Sequence, residues 1–210
     1  MGDARYWVAV GVGDERSMMS VPKKQAYQAH GQRVALRYPV ESDRTELIAL
    51  RSGSKDRLID WEPIPPSGGD LFGEGYFERE LELCNTEREQ RWLIIERSTG
   101  KIAGRITLGN IERGPFLNGR FGYWIGTGFE GKGLMSEGLG LAVRHAFTAI
   151  EYGGLGLHRV CANIMPSNVR SRALLERVGF VKEGYSKKYL QIRGVYEDHE
   201  RWAMTAGMGE

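Results

Sequence analysis

Residues 121 to 136 read Phe121-Gly-Tyr-Trp-Ile-Gly-Thr-Gly-Phe-Glu-Gly-Lys-Gly-Leu-Met-Ser136. An apolar aromatic run ends at Ile125, and a helix-like segment begins at Leu134. Between them lie Gly126, Gly128, Gly131 and Gly133. Glycines permit positive φ angles and a close approach to a ligand, and the first amides of a helix have no partner within it. The stretch therefore predicts a strand, an anion-binding loop and a helix.

Three kinds of phosphate-binding loop compete for these glycines. The spacing Gly126-x-Gly128-x-x-Gly131 fits a dinucleotide fingerprint, with Glu151 as the ribose acceptor, but it lies past the middle of the chain and not at the start of a doubly wound domain. A P-loop needs Ser or Thr after its Lys, and Gly133 stands there. The third is an acyl-CoA diphosphate loop, Gln/Arg-x-x-Gly-x-Gly/Ala, with Gly128 in the Gln/Arg place. The loop alone leaves the choice open.

Composition narrows the class of protein. The chain has 210 residues, of which 41% are hydrophobic and 27% charged, so we expect one well-buried domain. A net charge of +2 is too small to indicate nucleic-acid binding. Cys84 and Cys161 fit no metal or redox spacing, which predicts two reduced thiols, no metal site and a cytoplasmic location. No apolar run approaches the roughly 18 residues of a membrane span, and we expect no export signal.

The chain is predicted to have three parts. Residues 1 to 32 form an N-terminal extension with one apolar patch, Tyr6–Val10, and Met18 or Met19 is a possible true start. Residues 33 to 205 form the single domain. Residues 206 to 210 form a C-terminal tail. Whether this N-terminal extension is ordered stays open at the level of sequence.

Periodicity predicts an α/β fold with a mixed sheet flanked by helices. The predicted strands are residues 33–37, 92–95, 101–109, 120–125, 159–163, 180–184, 189–192 and 200–204, the last two pairing across an Arg193-Gly194 turn. The predicted helices are residues 44–51, 70–84, 134 to before Gly153, and 167 or 168 to Gly179. Residues 57 to 70 hold three prolines and two glycines and are predicted to be an irregular, substrate-side loop.

A second motif follows one helix and one strand after the glycine loop. It reads Asn163-x-x-Pro166-x-Asn168-x-x-Ser171-x-x-Leu-Leu175-Glu-Arg-x-Gly179-Phe180. The two motifs together resemble the GNAT acyltransferases. Further matches resemble the RimJ/RimL-type ribosomal-protein-alanine N-acetyltransferases, the RimJ branch most, over residues 32 to 204. They are Tyr123-Trp-Ile125, Gly131-Lys-Gly-Leu-Met135, His158-Arg159, Glu183-Gly-Tyr185 and Tyr189-Leu190.

The resemblance implies a sheet splayed at its centre and acetyl-CoA as co-substrate. The amide end of the helix after the loop would face the diphosphate, and Asn168 would contact the pantetheine arm between two splayed strands. The backbone at Trp124 and Ile125 would orient the thioester and stabilise the oxyanion. The implied acetyl-CoA-binding residues are Tyr123, Trp124, Ile125, Gly128, Gly131, Lys132, Gly133, Leu134, Met135, Ser136, Asn168 and Ser171.

The catalytic residues match the family only in part. Many members place a Tyr before the last turn of the Asn168 helix as the acid that protonates the leaving thiolate, and Leu175 stands there. Ser171 matches the serine that serves in RimL-like enzymes and is our predicted catalytic residue. The base position of those enzymes holds Leu190. Further candidates for proton acceptors are Glu112, Asp198 and His199, and Trp61 is a candidate for the acceptor site.

The predicted activity is direct transfer of acetyl from acetyl-CoA to an amine, without a covalent enzyme intermediate. The favoured acceptor is the α-amine of a protein N-terminus, with a ribosomal protein as the first candidate. Acetylation of a small amine is the alternative within the enzyme class, because acceptor loops diverge on a shared fold. A CoA-binding sensor or scaffold without turnover is the alternative outside it. The oligomeric state stays open.

Overall fold

The computed structural model describes residues 27–63 and 69–207. The strands are β1 Ala29–His30, β2 Val34–Arg37, β3 Gln90–Glu96, β4 Ile102–Glu112, β5 Asn118–Ile125, β6 Arg159–Ile164, β7 Val181–Ile192 and β8 Val195–Thr205. The helices are α1 Arg44–Ser52, α2 Lys55–Leu58, α3 Glu74–Leu83, α4 Leu134–Phe147 and α5 Val169–Val178, with 3-10 turns at Glu41–Asp43, Ile59–Trp61 and Ile150–Tyr152. The sequence features at Tyr6–Val10, Met18 and Met19 lie outside the described residues.

The eight strands form one sheet in the order β1-β2-β3-β4-β5-β6-β8-β7. All neighbours are antiparallel except β5 and β6, which run parallel because the α4 crossover joins them. The predicted mixed α/β sheet flanked by helices is confirmed.

Alternate residues of the strands build two apolar layers, one on each face of the sheet. On β3, Trp92 and Ile94 face a layer that includes residues of α4 and α5. Leu93 and Ile95 face the opposite layer, with residues of α1 and α3. Both faces are thus covered by helices, and the sheet can present a site only where its strands separate or at its ends.

The region between α1 and α3 is more regular than the sequence predicted. Residues 57 to 61 were predicted to be irregular, but Arg57 and Leu58 end helix α2 and a 3-10 turn continues to Trp61. Helix α3 begins at Glu74, four residues later than predicted, because the Asp70 carboxylate accepts hydrogen bonds from the amides of Phe72 and Gly73 in the preceding turn. The prolines and glycine at residues 64–68 lie outside the described residues.

The end of the sheet also differs from the prediction. Residues 181 to 192 form one strand and not two, with pairing irregularities between Lys182 and Gly184 and between Ser186 and Leu190. The turn at Arg193-Gly194 was predicted correctly, but it pairs Leu190 with Glu197. Residues 200 to 204 pair instead with β6 and the first half of β7. The irregular pairing between Ser186 and Leu190 interrupts the alternation of apolar and polar residues, so the sequence pattern indicated two strands where the structure has one.

Candidate active site

The glycine loop connects β5 to α4. Gly128, Gly131 and Gly133 have φ angles of +90°, +72° and +74°, which side chains with a Cβ rarely adopt. Gly133 is the N-cap residue of α4 and has the left-handed conformation. The strand, loop and helix therefore follow the predicted order, and three of the four glycines are needed for the backbone path.

The amides at the start of α4 have no hydrogen-bond acceptor within the described part of the chain. The first residue after the loop whose amide bonds back into the turn is Glu137, which donates to the Gly133 carbonyl at 3.1 Å. In the part of the chain that the structure describes, the amides of residues 131 to 136 donate to no protein group. This set includes the predicted residues Lys132, Leu134, Met135 and Ser136. Together with the helix dipole, these amides suit a phosphate or diphosphate group.

Side chains from α2 and the preceding turn fix the shape of the loop. Ser54 Oγ accepts from the Thr127 amide at 2.9 Å, and Glu130 Oε2 accepts from the Gly128 amide at 2.6 Å. Arg57 lies 2.9 Å from Glu130 Oε1 and donates to the Ile125 carbonyl. Burial alone would raise the pKa of Glu130, but backbone hydrogen bonds and the charge of Arg57 lower it. The loop is thus held in place by contacts that need no ligand.

Arg33, the residue before β2, contacts the glycine loop from the other side. Its Nη1 donates to the Lys132 carbonyl at 3.1 Å, and its Nε lies 2.9 Å from Glu137 Oε2. A Cβ added at Gly133 would lie 2.9 Å from Arg33 Nη1. Lys132 itself is half exposed, 3.9 Å from Glu96 Oε1. Sequence reasoning missed Arg33, since nothing in its local pattern marks a contact with a loop 99 residues later.

The centre of the sheet is splayed. The pairing of β5 with β6 runs only from Asn118 with Arg159 to Phe121 with Ala162. On the outer sides, β5 stays paired with β4 as far as Ile125, and β6 stays paired with β8 as far as Ile164. Residues 122 to 125 of β5 therefore leave a gap toward β6, and the alternation of the strand turns the backbone N–H groups of Tyr123 and Ile125 into it.

Tyr123 and α5 meet across this gap. Asn168 is the N-cap of α5, and its Oδ1 accepts from the Ser171 amide at 3.1 Å. Ser171 is 8% exposed, and its Oγ lies 2.6 Å from Tyr123 Oη. Burial raises the pKa of Tyr123 to about 12, although the hydrogen bond with Ser171 acts to lower it. Tyr123 is therefore neutral at physiological pH, and the pair has two hydroxyl protons.

Two other sequence candidates have structural roles. Leu175, in the position where many family members have a Tyr, is fully buried in the core on the α4 and α5 side. Trp124 is buried on the opposite face, where its Nε1 donates to Tyr76 Oη at 3.0 Å. The Trp124 backbone carbonyl faces Gly104 of β4, so at this level of β5 it is the neighbouring Ile125 that presents its N–H to the gap.

A cleft of about 510 Å³ lies beyond the splay, on the side of the β7–β8 turn. Its lining residues are Asp60, Trp61, Met165, Ser167, Ile192, Arg193, Val195 and Glu197. Trp61, predicted as an acceptor-site residue, is therefore placed in it. Glu197, which sequence reasoning missed, adds a carboxylate.

The three candidates for a proton acceptor are not in the cleft lining. Glu112 pairs with Asn118 at the opposite end of β5 from the splay. The Asp198 carboxylate accepts from Tyr185 Oη and the Lys188 amide, both at 2.7 Å. His199 is buried, with its Nδ1 3.0 Å from the Glu197 carbonyl oxygen. The position of Glu112 thus excludes it as the proton acceptor, and the Asp198 carboxylate is already hydrogen-bonded to Tyr185 and Lys188.

The described residues contain neither a candidate metal-ion site nor a candidate membrane-spanning helix. Within residues 27–63 and 69–207, no three or more His, Cys, Asp or Glu side chains are placed to hold one metal ion. Over the same residues, no helix has the length and apolar character needed to cross a membrane.

Comparison with known proteins identifies the family. The family model described as "Acetyltransferase (GNAT) domain" matches residues 33–181, well over half of the chain. The chain belongs to the GNAT acetyltransferase family. The [ribosomal protein uS5]-alanine N-acetyltransferase of Escherichia coli is 33% identical over 177 residues, which cover 82% of this chain and 88% of that protein.

Solved structures of other GNAT proteins have the same fold. Mycobacterium smegmatis RimJ, in complex with CoA-disulfide, superposes with a TM-score of 0.73 at 30% identity and covers 82% of each chain. The ribosomal-protein-S5-alanine acetyltransferase of Vibrio fischeri gives a TM-score of 0.72 at 29% identity, covering 86% of this chain and 98% of that one. The predicted family and enzyme class are confirmed.

Proposed function

We propose that this GNAT protein transfers acetyl from acetyl-CoA to the N-terminal α-amine of a protein, with a ribosomal protein as the first candidate. One observation carries the proposal: the acceptor-free amides of residues 131 to 136 lie beside the gap between β5 and β6. A diphosphate and an extended acyl-carrying arm would fit these two features together. The similarity to ribosomal-protein-alanine N-acetyltransferases supports the substrate class.

The binding role of each predicted residue follows from its place. The amides of Gly131 to Ser136 would receive the diphosphate, with Lys132 adding an exposed positive charge nearby. Gly128 maintains the loop path through its positive φ angle. Asn168 and the backbone of residues 123 to 125 border the gap that would hold the pantetheine arm.

The chemistry rests on positioning and proton transfer. Bound acetyl-CoA supplies an activated thioester carbonyl. The backbone N–H of Ile125, which faces the gap, is placed to stabilise the oxygen of that carbonyl as it gains charge, whereas the Trp124 N–H faces β4. Ser171 donates a proton to the departing thiolate, and the neutral Tyr123 hydroxyl at 2.6 Å supports the donor.

We also propose that the protein acts in the cytoplasm. Cys84 and Cys161 are both free thiols, as expected in a reducing compartment. The relatives' ribosomal substrates suggest the same location.

Acetyl-CoA will raise the melting temperature of the protein, and NADH and ATP will not match it. A ligand that binds only the folded state stabilises it by about 2.7 kcal/mol at a hundredfold excess over Kd. Thermal unfolding with each nucleotide at equal concentration tests this, with steady release of free thiol in the presence of peptide as the measure of turnover. Greater stabilisation by NADH or ATP would assign the loop to another ligand, and acetyl-CoA binding without thiol release would favour a sensor.

A further inference from the structure

Glu197 is a carboxylate that the fold leaves free in the cleft beyond the splay. It lies on β8 opposite Leu190 of β7, on the same face of the hairpin as Ile192 and Val195, which also line the cleft. Among the described residues, no side chain or backbone group bonds to its carboxylate. The hairpin thus brings an uncommitted negative charge to a partly buried surface.

The neighbouring acidic residues are all engaged. Asp60, across the cleft, lies 2.5 Å from Arg193. Asp198 accepts from Tyr185 and Lys188, and Glu200 binds Lys182 at 2.6 Å on the other face of β8. Charge in the cleft is therefore balanced at the Asp60–Arg193 pair and negative at Glu197.

The cleft borders the loop that leads from β6 into α5. Met165 and Ser167 line it and belong to the connection between β6 and α5. Ser167 directly precedes Asn168, the N-cap of α5, and Ser171 lies in the first turn of that helix. A group bound in the cleft therefore lies next to the segment that forms one side of the splay.

An α-ammonium group suits this surface. It is a compact cation with three N–H donors, and a half-buried carboxylate is a strong partner for it. Arg193 is held by Asp60 and does not neutralise Glu197 directly. Trp61 adds an aromatic wall, against which the first side chain of a peptide can pack.

We propose that Glu197 binds the α-ammonium group of the acceptor and takes a proton from it. This inference rests on the proposed function. Glu197 receives the first proton and passes it to water, and the neutral nitrogen forms its bond to the thioester carbonyl carbon as the C–S bond breaks. Sulfur gains a proton from Ser171, which solvent reprotonates, and the second nitrogen proton goes to water. One proton is released per turnover.

Other titratable and charged groups lie near this carboxylate. Asp60 and Arg193 line the same cleft, and His199, two residues along β8 and outside the cleft lining, has its Nδ1 3.0 Å from the Glu197 backbone carbonyl oxygen. Because these groups also titrate or carry charge, a pH profile alone would not assign the role. The test therefore compares substitutions that separate charge, shape and position.

Glu197→Gln will lower kcat/KM for an acceptor peptide about a hundredfold, the low end of the usual effect of losing an acid–base group. The Kd for acetyl-CoA will stay within about twofold, since the diphosphate loop is on other elements. Glu197→Asp, which keeps the carboxylate on a shorter side chain, will recover part of the activity. Steady-state kinetics with a free N-terminal peptide and calorimetric titration of acetyl-CoA give both quantities.

Glu87→Gln is the matched control, because Glu87 is exposed in the loop between α3 and β3 and the same charge is lost there. Its kinetics should equal those of the wild-type protein, and melting temperatures of all variants monitor folding. An unchanged kcat/KM in folded Glu197→Gln, or full inactivity in Glu197→Asp, would overturn the role of Glu197 and leave the proposed function intact. Absence of turnover in the wild-type protein would overturn both.

Discussion

Gly133→Val will raise the Kd for acetyl-CoA at least about tenfold, a loss of roughly 1.4 kcal/mol in binding. Gly133 has a φ of +74°, and its Cβ would lie 2.9 Å from the Arg33 guanidinium that donates to the Lys132 carbonyl. The valine would therefore strain the N-cap of α4 and push against the residue that holds the loop. Displacement of Arg33 would in turn shift the Lys132 peptide, which belongs to the loop expected to receive the diphosphate. Calorimetric titration measures the change in Kd.

Gly153→Val separates binding from stability. Gly153 has a φ of +79°, a Cβ added to it would meet no atom within 4 Å, and it follows the far end of α4. Both substitutions should cost about 1 to 2 kcal/mol of folding free energy from the left-handed backbone alone, and Gly133→Val adds the contact with Arg33. Only Gly133→Val should weaken acetyl-CoA binding. An unchanged affinity in folded Gly133→Val would remove this residue from the site.

Ser171→Ala will lower kcat about a hundredfold with little change in the KM for acetyl-CoA, because the hydroxyl acts mainly in the transition state. It will also destabilise the fold by about 1 to 3 kcal/mol, since the buried Tyr123 hydroxyl loses its partner. Steady-state kinetics at saturating peptide, with unfolding measured in parallel, test both effects.

Tyr123→Phe is the comparison for this prediction. It removes the same 2.6 Å hydrogen bond but leaves the Ser171 hydroxyl in place, so the loss in kcat should be smaller. The pKa of Tyr123, about 12, means that its own ionisation should not shape activity near neutral pH. A larger loss in Tyr123→Phe than in Ser171→Ala would make the tyrosine the proton donor.

The parts of the fold that sequence predicted well depend on local signals. The change from an aromatic strand to glycines to a helix occurs within one short stretch, between Phe121 and Leu134. The structure has β5 ending at Ile125 and α4 beginning at Leu134, as predicted. The end of α5 at Gly179 was predicted equally well, because Gly179 has a φ of +104° and ends the helix.

The parts that sequence did not predict depend on contacts between distant segments. Three side chains that hold the glycine loop come from distant parts of the sequence. Ser54 is 73 residues from Thr127, Arg57 is 68 residues from Ile125, and Arg33 is 99 residues from Lys132. Glu197 could have been found, since the predicted Arg193-Gly194 turn already pairs Leu190 with Glu197. Placing the start of the last strand at residue 200, and not at Val195 directly after the turn, hid that register.

The proposed acceptor can be tested with one peptide that has a free N-terminal alanine and an internal lysine. Removing the proton at pH 7 costs about 1 kcal/mol for an α-amine and about 4.6 kcal/mol for a lysine, so a carboxylate base can meet the first demand far more easily. The peptide is incubated with acetyl-CoA, and fragmentation mass spectrometry locates the acetyl group. We expect acetylation at the N-terminus. Predominant acetylation of the lysine at neutral pH, or no acetylated peptide at all, would contradict the proposed function.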